Sequence, residues 1–594
     1  MRALTTILFM TSLSTAAFSA TAPADAVYQH GVVYTIDAKN RVASALAVKA
    51  GRIVYVGNEA GLTGYIGKTT EVVDLKGRVL MPGLVDGHMH PLQGGDVLVK
   101  CNLNYEALTV PQFQARIQAC LDQTRDQEPD GWLEVVSWFQ NNMLPPGVET
   151  TCATLDVLKT KRPILVESSF GHSTLANSRA IQLAGITAKT PDPLGGRIAR
   201  DAQGRATGLF EDSAQRVFEA LVPKPTAADD LKAARAALGA IARQGITSFL
   251  DAVATPEAMT AFTALQKQGE LTVRAHFAPV IEPPEAADPA KAVAGVKALA
   301  VRFDQGPIGV QPGITVRNAK LFMDGVITAP AFTGNMLEPY WVNRGTEQRP
   351  DWAPGKSRGP DVYFPAPALA ALVIGLAEAG LDPHMHADGD GGVRAALDAV
   401  QTLRARHPSL DIRPAIAHDE VVHPSDYPRY AKLNVTPVLS FQWEKPATDT
   451  IDGARDFLGP ERFAIMEPAG FLHAAGARIA YGSDWPVDAL DEWFALKVGV
   501  TRTNVPGVAA KYAGRLGKDP GLSRQTVLRA ITWNASYELH QEQLTGSLEV
   551  GKLADMIVLD RDPLRIPAED IAHVKVLRTI VGGRTVYNVD ELSK

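Results

Sequence analysis

Cysteine is scarce: Cys101, Cys120 and Cys152 are the three in a chain of 594 residues. That is too few for a disulfide scaffold, and no pair has the Cys-x-x-Cys spacing of a structural zinc site. Aromatic residues are also sparse at 7%, yet with 46% hydrophobic and 21% charged residues the chain is neither disordered nor collagen-like. There is no long block of one charge, and 59 basic against 65 acidic residues leave a net charge of −6. The basic surface that nucleic acid requires is missing, so no nucleic-acid partner is expected. Three catalytic signatures are absent as well. No serine sits in Gly-x-Ser-x-Gly, no His-Glu-x-x-His occurs, and Gly355-Lys356-Ser357 lacks the glycine of a phosphate loop because position 350 is proline.

What is present begins with an export signal. Met1-Arg2 precedes an apolar stretch over 3–13 and then small residues up to Ala26, the three regions of a secretory signal peptide over 1–26, with cleavage expected between Ser19 and Ala26. A short membrane anchor is the other reading. Thr5, Thr6, Thr11 and Ser12 interrupt the apolar stretch, which is shorter than the ~20 residues that span a bilayer. No later segment is a continuous spanning run, and no cysteine follows the signal to carry a lipid. The mature protein is therefore expected to be periplasmic or secreted, without stable membrane association. An oxidising compartment permits a Cys101–Cys120 bridge, but sequence separation does not decide it.

Short β-rich runs at 32–36, 45–48, 52–56 and 71–74, with others at 556–559, 579–581 and 584–587, predict one small β-sandwich domain built from both termini, over 27–79 and 545–594. Between them, apolar strand-like runs alternate with Ala/Leu-rich helical stretches such as 367–379, 393–406 and 427–433. Eight buried-strand candidates follow in order: 80–85, 246–251, 271–278, 315–322, 381–386, 413–418, 435–441 and 478–483. The pattern predicts an α/β fold, a (β/α)₈ TIM-type barrel over 80–544 whose chemistry collects at the carboxyl ends of the strands. The stretch from strand one to strand two is far too long for a loop and must hold an inserted subdomain, placed at 95–240, that carries all three cysteines.

Strand one ends in Asp86-Gly87-His88-Met89-His90. Period two along a strand turns both imidazoles to one side, where they can grip one metal ion, and neutral imidazole suits zinc. Lys320 lies near the end of strand four, His386 and His418 close strands five and six, and strand eight runs into Gly482-Ser483-Asp484. A buried lysine amine can take up carbon dioxide and become an oxygen ligand between two ions, or pair with a local acid such as Asp324; both readings stay open at this point.

Taken together, these residues resemble the amidohydrolase superfamily, and within it the amidohydrolase family 3 group of YtcJ-like and N-substituted formamide deformylase-like enzymes. The resemblance covers nearly the whole mature chain. It also rests on Gly171-His172-Ser173 with Asn177-Ser178, on 193–196 with 208–211, on Lys320 to Gly325, on His386-Ala387-Asp388-Gly389-Asp390, on Gly482-Ser483-Asp484-Trp485-Pro486 and on the closing Gly546 to Asp555. It implies that His88, His90 and Asp484 hold one divalent ion, that His386 and His418 hold a second, and that carboxylated Lys320 bridges the two, with zinc the expected metal. It further implies a metal-activated hydroxide as nucleophile and Asp484 as both ligand and proton carrier.

Other residues carry weaker signals. His172 is placed facing the substrate by the resemblance, although Gly171 stands where many relatives have an acid. Trp138, Trp485, Phe139 and Trp443 are candidate pocket walls, with plain core packing the alternative. By period two, His384 lies one layer deeper than His386 and reads as a supporting residue, and His276 reads as barrel interior. Residues 328–360 are Pro/Gly-rich without periodicity and follow strand four, as a lid or as a surface loop.

The expected activity is hydrolysis of a C–N amide bond in a small N-acyl or N-formyl molecule. Cyclic amides, lactones or dipeptides are alternatives on the same constellation, and a non-catalytic, metal-retaining regulatory or binding protein is the alternative of a different class. The partner is a small molecule. A homo-oligomer is compatible with the sequence, which does not determine it.

Overall fold

The computed structural model describes residues 22–589 apart from 126–129, 141–142, 146, 170–172, 194–195, 330 and 347. Most of the expected signal segment, and His172 with Gly171, lie outside the described residues. No helix among those described is long and apolar enough to cross a membrane.

Both termini build one β-sandwich. One sheet orders Arg584–Asn588, Val576–Val581, Met556–Leu559, Val79–Pro82, Val32–Tyr34 and Val42–Ala43; the other orders Arg52–Gly57, Ala45–Lys49, Ala26–Gln29 and Glu71–Asp74. Their alternating apolar residues, among them Val33, Leu46, Leu80, Met556 and Ile580, meet in a buried core between the sheets. Two expected boundaries shift. Ala24 is already buried and donates its N–H to the Tyr65 carbonyl, so the folded domain starts before residue 27. The first strand predicted for the barrel breaks at Gly83: Val79–Pro82 pairs with Met556–Leu559 in the sandwich, and only Leu84–Met89 enters the barrel.

The barrel strands among the described residues are β1 (Leu84–Met89), β2 (Ile246–Ala254), β3 (Arg274–Pro279), β4 (Asn318–Phe322), β5 (Asp382–Ala387), β6 (Ala415–His418), β7 (Thr436–Leu439) and β8 (Ala480–Tyr481). Pairing is parallel from β1 to β3 and from β4 to β8. The two halves join where the Ile281 N–H donates to the Lys320 carbonyl at 2.9 Å and the Asp484 N–H to the His88 carbonyl at 2.7 Å. At that second seam Gly482 is required, because a Cβ there would lie 2.4 Å from the Cβ of His88. The long strand expected at 315–322 is two pieces, Ile314–Thr315 beside β3 and then β4. Helices such as Ala366–Glu378, Asp390–Arg406 and Tyr427–Leu433 bury one apolar face against the strands.

The insertion is a domain with its own sheet, running from Cys101–Asn102 through Leu133–Trp138, Ile164–Ser168 and Ser173–Ala176 to Ala206–Asp212 and Gly196–Arg200, over a separate apolar core. Cys101 and Cys120 form a disulfide within it, and Cys152 is half-buried and unpaired. The limits 95 and 240 fall inside the helices Pro91–Val99 and Ala227–Gln244, which pack on each other as barrel helices. They approach so closely that a Cβ on Gly95 would meet the Ala233 carbonyl oxygen at 1.9 Å.

The closing motif Leu553-Ala554-Asp555 has a structural reason. The Asp555 carboxylate accepts from Arg274 Nε at 2.7 Å and Nη2 at 3.0 Å, and from the Gly582 N–H at 2.7 Å, with both partners of the ion pair buried. The pair bolts β3 to the sandwich. Removing one partner leaves a buried charge uncompensated, so Asp555→Ala should destabilise the protein by about 3–5 kcal/mol in denaturant unfolding. A loss below about 1 kcal/mol, the scale of an exposed pair, would mean that the two domains are held together by other contacts.

Candidate metal centre

The strand ends deliver their side chains into one cavity of about 1100 Å³ at the carboxyl end of the barrel. His88, His90, Lys320, His386, His418 and Asp484 all line it. Asp484 Oδ1 stands 2.9 Å from His90 Nε2 and 3.2 Å from His88 Nε2, and Lys320 Nζ lies 3.4 Å from His88 Nε2. The imidazole of His418 sits between two others, with ring centroids 4.8 Å from His88 and 4.6 Å from His386. His418 and Asp484 have φ of 81° and 54°, the left-handed region that non-glycine residues adopt at a cost of about 1–3 kcal/mol and that clusters at functional sites.

Removal from water sets the charge states. Burial, reinforced by the Lys320 ammonium, pushes the His88 imidazole well below its usual range. Burial with His386 alongside does the same to His418. Burial carries His386 down to about 3 and Lys320 to about 8. For Asp484, burial raises the pKa, but the hydrogen bond with His90 and the adjoining His418 and Lys320 outweigh it and hold the carboxyl below the ordinary range. The outcome is neutral imidazoles with free lone pairs beside an ionised carboxylate, the protonation pattern a divalent cation requires.

The donor set fits such an ion. Ligand atoms of His88, His418 and Asp484 lie within 4.8 Å of one another, as do those of His386, Asp388 and His418. Buried His90 Nδ1, His418 Nδ1 and Asp388 Oδ1 have no hydrogen-bond partner among the described residues. Asp388 was missed by the sequence reading. It lies two residues past His386 in the His386-Ala387-Asp388-Gly389-Asp390 motif, but was given no role there. Lys320 makes no ion pair with an acid among the described residues and packs 4.6 Å from the Phe322 ring centroid. Asp324, the local acid weighed as its partner, instead accepts from the backbone N–H groups of Asp388, Gly389 and Asn335 at 2.8–3.0 Å, fixing the turn after β5.

His384 is a supporting residue. Its Nε2 stands 2.7 Å from His88 Nδ1, and its Nδ1 lies 3.2 Å from Glu538 Oε1, which is fully buried beneath β1. With His384 Nε2 as the acceptor for His88 Nδ1–H, His88 Nε2 is left unprotonated toward Asp484.

Two expected substrate contacts are not where the sequence reading put them. Trp138 is 1% exposed, packs on Phe113 at 5.9 Å and belongs to the core of the insertion. Trp485 is 3% exposed and covers Gly94 in the barrel core. Both rings are taken up by packing. Trp443 does line the cavity, stacked 5.3 Å from His418. His276 is buried, 3.2 Å from Gln541, away from the cavity. The 328–360 segment contributes Thr328, Ala329 and Ala331 to the wall and then forms the ribbon Trp341–Asn343 with Trp352–Pro354. The insertion adds Gln140, Ser168, Ser173, Arg197 and Glu211.

Comparison with known proteins agrees with this architecture. The sequence profile of the Amidohydrolase family matches residues 71–587. Protein LONG AFTER FAR-RED 3 of Arabidopsis thaliana is 26% identical over 579 residues, covering 95% of this chain and 92% of its own. The N-substituted formamide deformylase of Arthrobacter pascens is 23% identical over 568 residues, covering 93% and 97%. Among solved structures, an uncharacterized metal-dependent hydrolase from Pyrococcus horikoshii OT3 superposes with a TM-score of 0.68 at 20% identity, over 91% of this chain and 99% of that one.

Loss of the imidazole behind His88 should be felt as metal affinity. In a chelator-competition titration, His384→Ala is expected to bind zinc about 10–100-fold more weakly than the parent while keeping its circular-dichroism spectrum. Unchanged affinity would show that His384 only fills space.

Proposed function

The chain belongs to the amidohydrolase family, and from that premise we propose that it is an exported, metal-dependent hydrolase that cleaves the C–N bond of a small N-acyl or N-formyl amide. The observation that carries this reading is the convergence of His88, His90, Lys320, His386, His418 and Asp484 on one cavity, with His88, His386 and His418 neutral and Asp484 ionised. These residues would hold one or two divalent ions, zinc by ligand preference, with carboxylated Lys320 between two. Bound there, such an ion polarises an amide carbonyl and brings the pKa of water toward neutrality.

The residues do the rest. Lys320, with its pKa lowered to about 8 by burial, has a larger neutral fraction near neutral pH than an exposed lysine, as carboxylation requires. Asp484 faces the cavity between His88 and His90, placed to take the proton of the attacking water and return it to the departing amine nitrogen. Neutral His88 and His418 keep that corner free of competing protons. The formamide deformylase among the relatives supports an amide as substrate. The Cys101–Cys120 disulfide supports an oxidising compartment, outside the cytoplasm, in line with the signal-like N-terminus.

Zinc-loaded protein should release primary amine from at least one member of a panel of N-formyl, N-acetyl and longer N-acyl amines. Asp484→Asn should lower kcat by about 10²–10⁴-fold. Full activity in that variant would remove Asp484 from proton transfer, and a panel left uncut by metal-replete protein would overturn the amide reading.

A further inference from the structure

One wall of the cavity is acidic, with Glu420 hydrogen-bonded to Asp388 at its inner edge and Glu467 beyond it. Glu420 and Glu467 both line it and stand side by side, the Glu467 N–H donating to the Glu420 carbonyl at 2.8 Å. Glu467 is 4% exposed, and its Oε1 has no hydrogen-bond partner among the described residues. Its nearest buried cation is already engaged. Arg502 Nη1 donates to the Glu444 carboxylate at 3.0 Å and to the Glu467 main-chain carbonyl at 2.7 Å, and it lies 3.5 Å from Asp519. The guanidinium thus anchors the backbone of Glu467 and leaves its side chain to the cavity. Lys445, the cation that shares this wall, donates to the Gln442 carbonyl at 2.5 Å. Asp449 and Asp452 extend the acidic surface outward, Asp452 paired with Lys511 at 2.8 Å, and Trp443 contributes an aromatic ring beside it.

A buried carboxylate without a partner is costly unless a ligand supplies the missing charge. Burial, together with Glu420 and Glu444, holds the Glu467 carboxyl well above its ordinary range, a condition that a bound cation would relieve. The groups of described residues whose ligand atoms fall within 4.8 Å of one another include Asp388 but neither Glu420 nor Glu467. An organic cation can pair with carboxylates that form no metal cluster, and an aromatic ring adds attraction for it.

We propose that the Glu420–Glu467 wall receives a protonated amine or guanidinium of the substrate, so that the amide cleaved here carries a positive charge away from its scissile bond. What is cut rests on the amide-hydrolase reading; what is held does not. The first arm of the test is binding. On zinc-loaded protein, calorimetry compares N-butylguanidinium with the neutral isostere N-butylurea. The cation should bind about 10–100-fold tighter, the worth of a hydrogen bond to a charged group, and Glu467→Gln should shrink that ratio about tenfold or more. Equal binding by the parent protein overturns the proposal without recourse to any variant, as does a ratio unchanged in Glu467→Gln.

The second arm is hydrolysis of N-acetyl-4-guanidinobutylamine against N-hexylacetamide, read as kcat/KM. Preference for the cationic amide supports both readings. Cleavage of the two at equal kcat/KM overturns the cationic wall and leaves the amidase standing. Selective binding of N-butylguanidinium with no cleavage of either amide overturns the amidase and leaves the cationic wall.

Discussion

Everything in this molecule turns on the cost of taking ionisable groups out of water. Imidazoles, an amine and a carboxylate gathered at one end of a barrel cannot all keep their solution charges there. Desolvation resolves the conflict by making His88, His386 and His418 neutral and by depressing Lys320, while Asp484 keeps its charge through its hydrogen bond with His90 and the nearby Lys320 ammonium. The backbone accepts strain to maintain that grouping. His418 and Asp484 sit at positive φ, and Gly482 gives up its side chain so that β8 can reach β1 at the seam where His88 and Asp484 meet.

Behind these groups the polar residues form a graded support. Glu538 and His384 stand in line beneath His88, Asp324 gathers three backbone amides under the turn after β5, and Arg502 ties Glu444 to the main chain of Glu467. Each joins segments distant in sequence. The cavity is therefore a product of the closed barrel as a whole, and no single βα unit carries it.

This explains which parts were legible in the sequence. His-x-His, Lys320, His386, His418 and Asp484 can be read because each ends a run of apolar residues with strand character, and a parallel barrel brings the carboxyl ends of its strands together. The terminal sandwich was legible from its period-two runs, although Val79–Pro82 and Leu84–Met89 read as one strand because both are apolar and Gly83 is a weak mark of a change of sheet. Trp138 and Trp485 went astray because the sequence does not say which side of a buried aromatic faces a cavity. Asp388, Glu420, Glu467 and Glu538 are lone acids, and only the folded chain shows that they are buried. The substrate stayed illegible for the same reason. Much of the wall comes from the insertion and from the segments after β4 and β7, whose register against the barrel no local pattern encodes.

The insertion leaves the barrel through the helix Pro91–Val99 and returns through Ala227–Gln244, and at Gly95 these two touch backbone to backbone. Its point of departure and its point of return are thus neighbours in space. With its own sheet, its own apolar core and an internal disulfide, it is a cassette: a replacement of different length or shape could be spliced between the same two helices without moving a strand of the barrel. The part of the cavity wall that the insertion supplies, Gln140, Ser168, Ser173, Arg197 and Glu211, could thus change while the barrel strands and their metal-binding ends stay in place.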